Sequence, residues 1–158
     1  MDVLHIIKEE YSTARLSVSN LPTCSDPSQR DPKLVAILRH LDMLIRVSDE
    51  LILPELAESV TKGLEHLAEA GDQSSALRKL VASSLKSGRM GESRKRDVTS
   101  KLLNHLEHME QHVLPIFRVK ISTPVREELG LVALDFKGDC SLEPIKQRSS
   151  RQIGDLQA

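Results

Sequence analysis

Imidazoles are the most versatile reactive groups in this chain, and three of its six histidines fall within one short stretch. His105, His108 and His112 stand at i, i+3 and i+7, an arc of about 60° on one face of an ideal helix. The four-residue spacing of His108 and His112 can chelate a transition metal across one turn. Two or three histidines on an open face give weak binding, so the stripe also reads as a polar flank beside Leu102, Leu106 and Val113. Free imidazole titrates near neutrality, which makes a pH-sensitive surface the third reading of the same pattern.

The other reactive residues are sparser. His66 lies in Glu65-His66-Leu67-Ala68-Glu69, with acid where the His-x-x-Lys-Gly signature of histidine phosphotransfer bundles has lysine. Its simplest reading is a solvated helix residue. Glu9, Glu10, Asp49 and Glu50 read as exposed helix charges. There is no Gly-flanked serine, phosphate loop or spaced Cys-His pair, so nothing points to an enzyme. Cys24 and Cys140 have no metal-ligand spacing and define no disulfide framework.

These residues need helices to position them. The chain is 158 residues long, Leu-rich, 28% charged and only 2% aromatic, a composition that suits helix packing better than a pleated sheet. Basic and acidic residues number 22 and 23, a balance that suggests neither a nucleic acid nor a membrane partner. No apolar run approaches a membrane span and no signal peptide is apparent, so a cytoplasmic protein is expected.

Apolar periodicity predicts a helix over 3–20, through Leu4, Ile7, Tyr11, Ala14 and Val18, and a second over 33–53. Pro54 stops or restarts the second. A third region is expected from residue 55, with a break near Gly71-Asp72 and a resumption over 74–85. Residues 86–101 read as a solvated basic loop leading into a fourth helix over 97–120. Thr123-Pro124 has the look of a cap and first helical residue, opening a short helix to about 136. The predicted fold is all-α: an up-down-up-down four-helix bundle with a short fifth helix over 1–136, then a flexible tail over 137–158.

The chain also echoes itself. Pro54 and Pro115 lie 61 residues apart, and aligning them matches Leu41 with Leu102, Asp49 with Glu110, and Leu53 with Leu114. The segments 44–56 and 105–117 share an outline, as do the stretches leading to Leu21 and Leu85. This duplicated pattern resembles the hemerythrin-like, or HHE cation-binding, four-helix bundles. In that family a helix carries His-x-x-x-Glu-Glu, an apolar run and a proline. The run from Asn104 through His105, Met109, Glu110 and Pro115 to Phe117 is the best match, and 121–130 looks like the closing helix.

The resemblance implies a di-iron centre held by histidines and bridging carboxylates, yet most matching positions differ. Tyr11 stands where the first histidine is expected, and Leu44 and Ser48 where the second helix has histidine and glutamate. The third helix offers Ser74 or Ser75, or His66 if it runs unbroken. His105 is kept, Met109 replaces the glutamate, and Glu110 sits beside the ligand position. The expectation is therefore a metal-free, non-enzymatic interaction or regulatory domain without a cofactor. Its partner would be an unidentified protein, with a homodimer as one form. The alternative is a protein that binds non-haem iron, or senses iron or oxygen, through Tyr11, His66, His105 and Glu110.

Overall fold

A computed structural model describes residues 1–24, 26 and 29–139, and it is all helical, with no β-strand among them. The first two helices start where short acidic side chains satisfy orphan backbone donors. Asp2 accepts from the Leu4 amide at 2.9 Å and opens α1 (Val3–Ser19). Asp31 accepts from the Lys33 and Leu34 amides, with Pro32 beside it having no N–H to satisfy, and opens α2 (Pro32–Val47).

Pro54 does not end the second helix. The chain passes through a π-helical turn (Ser48–Ile52) into α3 (Leu53–Ser59). The same sequence of forms recurs 61 residues later: α5 (Glu92–His108), a π-helical turn (Met109–Val113) and α6 (Leu114–Lys120), with Pro115 in the place of Pro54. Proline lacks an N–H and its ring presses on the carbonyl four residues back. Widening the preceding turn to i→i+5 bonds lets the helix go on past it.

The expected break at Gly71-Asp72 is absent, because α4 (Leu64–Ser87) runs through it without interruption. One interior glycine costs a helix roughly 1 kcal/mol against alanine. Leu67, Ala70, Ser74, Leu77 and Val81 make one buried face across that point and outweigh it. The break lies instead at residues 60–63, where Val60 is extended and Gly63 takes φ 79°, a left-handed conformation that L side chains rarely adopt. The basic stretch is mostly helix too: only residues 88–91 form a link before α5 begins at Glu92.

The fifth helix, α7 (Thr123–Asp139), passes the expected end at 136, so Lys137 is helical. Residues 137–139 of the predicted tail are thus helix, and residues 140–158 lie outside the described residues. Gly130 lets α7 approach the Met1 carbonyl more closely than a Cβ would allow. Arg126 secures that approach by donating to Asp2 at 2.8 Å and to the Arg118 carbonyl.

Helix α1 packs on α2, α5 and α7, α2 on α4, and α4 on α5, while the two post-proline segments α3 and α6 meet each other. One apolar core joins them all, with Leu38, Leu41, Leu77, Val98 and Leu102 fully buried. No described helix is long and apolar enough to cross a membrane.

Candidate functional site

Tyr11, Leu44, Ser48, Ser74, His105 and Met109 are all buried, each no more than 2% exposed. Ser75 is exposed and His66 stands two helical turns before Ser74, so Ser74 is the inward-facing residue of α4.

His105 Nδ1 lies 3.1 Å from the Gln73 amide oxygen, so this nitrogen carries the proton and donates. Its Nε2 is buried without a partner among the described residues. Burial, reinforced by nearby His108, pushes its pKa down to about 4, so the ring is neutral at pH 7. Burial likewise pushes the Tyr11 phenol up to about 12. The Ser48 hydroxyl stands beside it and opposes the shift, without completing a well-formed hydrogen bond. Ser74 donates to Asp49 at 2.5 Å, with the Gly71 carbonyl as its other acceptor.

A di-iron centre needs several imidazoles and bridging carboxylates converging on one cavity. The matching positions supply one imidazole, one phenol, two hydroxyls and two apolar side chains, and that donor set does not fit. Nor do Tyr11, His66, His105 and Glu110 form a group. Glu110 is exposed and pairs with Arg15 on α1, while His66 lies with other histidines outside the core.

His105 also departs from the stripe expected on the helix surface. It is 2% exposed and faces Gln73 on α4, whereas His112 is exposed. The histidine that joins His108 and His112 is His66, from the first turn of α4. One ligand atom from each of the three lies within 4.8 Å of the others. The His66 and His112 rings stack, with centroids 4.5 Å apart and planes 4° from parallel. His108 is buried beside them, and its Nε2 lies 2.9 Å from the His66 carbonyl. The link at residues 60–63 sets this meeting, because it starts α4 beside the second π-helical turn.

A second polar cluster was not expected. Glu10, read as an exposed charge, is 6% exposed and joins three helices. Its carboxylate lies 2.5 Å from His40 Nε2 on α2 and 2.9 Å from Lys137 Nζ on α7. The His40 hydrogen bond is the main force holding its pKa down near 2, helped by Lys137 and opposed by burial. The sequence did carry a signal: His40 sits between Leu38 and Leu41, within the apolar stripe of α2.

A cleft of about 550 Å³ beside Tyr11 is walled by Lys8, Arg118 and Arg126 against Asp2 and Glu110. Within it Arg126 pairs with Asp2, while Glu110 pairs with Arg15. Compared with protein-family profiles, curated proteins and solved structures, the chain shows no match.

Proposed function

We propose that this chain is a non-enzymatic interaction or regulatory domain, built as a hemerythrin-like bundle whose interior holds no metal. The long helical segments alternate in direction around the core, as their short connections at 60–63 and 88–91 favour.

The observation that carries the reading is the filling of the bundle centre. Leu44 and Met109 occupy two of the positions where the resemblance calls for ligands, and both are buried. Apolar side chains there leave no polar cavity for ions or water to satisfy. With chemistry absent from the interior, action falls to the surface. Leu131, Val132 and Leu134 of α7 are at least 40% exposed and offer an apolar face to a protein partner.

Thermal unfolding with and without anaerobic ferrous iron tests the reading. A ligand that binds only the folded state raises its melting temperature by mass action. The expected result is no shift, together with no iron in protein purified from iron-rich medium. A rise of several degrees at stoichiometric iron would overturn the metal-free interior.

A further inference from the structure

The histidine cluster lies outside the interior site, and its chemistry does not depend on the reading above. We propose that His66, His108 and His112 form a surface site for one zinc-class divalent ion, with Glu69 completing the shell. The ion would tie the start of α4 to the second π-helical turn.

Three observations converge on this assignment. The first is the prepared state of His108. A metal-ligating histidine commonly donates its other ring N–H to a backbone carbonyl or carboxylate, which fixes its tautomer and orientation. His108 Nε2 stands 2.9 Å from the His66 carbonyl oxygen, so it donates there and leaves the Nδ1 lone pair free. Burial holds this ring in place.

The second is the carboxylate. Glu69 lies one turn beyond His66 on α4, and its Oε2 is 3.8 Å from His108 Nδ1. Two ligands bonded at ~2.1 Å to one tetrahedral ion sit ~3.4 Å apart, so the gap is close to the required span. Three imidazoles and one carboxylate suit zinc, nickel or copper rather than magnesium or calcium.

The third is the backbone under His108 and His112. A turn closed by i→i+5 bonds holds more residues than an α-turn, which brings side chains four apart closer to one line. The two ring centroids are 5.1 Å apart, and His66 reaches across from α4 to both. Closing from 4.8 Å to ~3.4 Å, and tilting the stacked rings until their lone pairs converge, takes rotations about χ1 and χ2. His112 is exposed and His66 partly so, which leaves both free to make them.

Calorimetric titration of the full chain with zinc chloride tests the site. The expected result is saturable binding of one equivalent, weakened more than ~10-fold by His66→Ala and by His112→Ala. His5→Ala and the double variant Cys24→Ser, Cys140→Ser should bind as the wild type does. Zinc should also raise the melting temperature of the wild type and leave that of His112→Ala unmoved. Absence of saturable binding would overturn the proposal, as would wild-type affinity in His66→Ala or loss of binding in the His5 or cysteine variants. Should His66→Ala lose its helical circular dichroism, His112→Ala decides, because that side chain is exposed. Iron at the interior and zinc at the surface are separate measurements, so each reading can fail without the other.

Discussion

The two proline-containing helices share one backbone and divide the chemistry between them. Ser48–Ile52 and Met109–Val113 form π-helical turns at matching places, each followed by a seven-residue α-helix with proline second. The side chains on this common frame trade character. Leu44 stands opposite His105 in the alignment, and Ser48 opposite Met109, with all four buried. At each paired position one half contributes a polar group and the other an apolar one. A repeated backbone therefore needs only the proline and the apolar stripe, while the site chemistry is free to drift. A di-iron centre needs both halves polar at once, and here neither pair is.

The largest test of that division is Met109→Glu. It places a carboxylate in the core with one neutral imidazole, His105, as the matching ligand. An unpaired buried charge costs several kcal/mol or takes up a proton. Urea unfolding should show a loss of about 3–5 kcal/mol, which ferrous iron does not recover. Recovery of stability with iron would show that the two halves still cooperate as a metal site.

The pH dependence comes next, and it separates two buried groups. His105 has a folded pKa near 4, below the ordinary 6.5, so between these values the unfolded chain takes a proton that the folded chain refuses. Stability is therefore full above pH 6.5 and falls by about 3 kcal/mol as the pH drops to 4. Glu10 has a folded pKa near 2 against an ordinary 4.5, so its contribution is full above pH 4.5 and fades toward pH 2. Replacing His105 by the residue of the other half, His105→Leu, should remove the upper phase and leave the lower. An unchanged upper phase, followed by denaturant midpoints across pH 7 to 4, would assign the acid sensitivity elsewhere.

The smallest effect sharpens the comparison at the prolines. Pro115→Ala returns a backbone donor to the helix and should relax the second π-helical turn. The stability change should stay within about 1 kcal/mol, while zinc affinity falls several-fold because His108 and His112 separate. Pro54→Ala changes the first turn, which carries no histidine, and should leave zinc binding as it was. Equal effects of the two variants on zinc would show that the turn does not set the histidine geometry.

Much of this was legible along the chain. The apolar stripes place the first two helices to within a few residues, and the two prolines mark the repeated turn and helix. The inward register of Leu44 and Met109 follows from the same 3.6-residue period. These features are local, so sequence spacing is enough to determine them. Gly71 and the link at 60–63 show where local signals mislead. A glycine penalty of roughly 1 kcal/mol is smaller than the burial of the face on either side of it.

The polar clusters belong to the other class. Glu10 and His40 are 30 residues apart, and the His108 ring meets a carbonyl 42 residues away. Glu10 stands three residues after Ile7 and four before Ala14, on the buried face of α1, yet that spacing does not name its partners, and nothing around His66 shows that it will meet two other imidazoles. By itself the sequence determined that this chain is helical and where its main apolar stripes run, because hydrophobic periodicity acts over a few turns. Only the tertiary structure decided which ionisable groups share a pocket, because that depends on how helices distant in the chain are brought side by side.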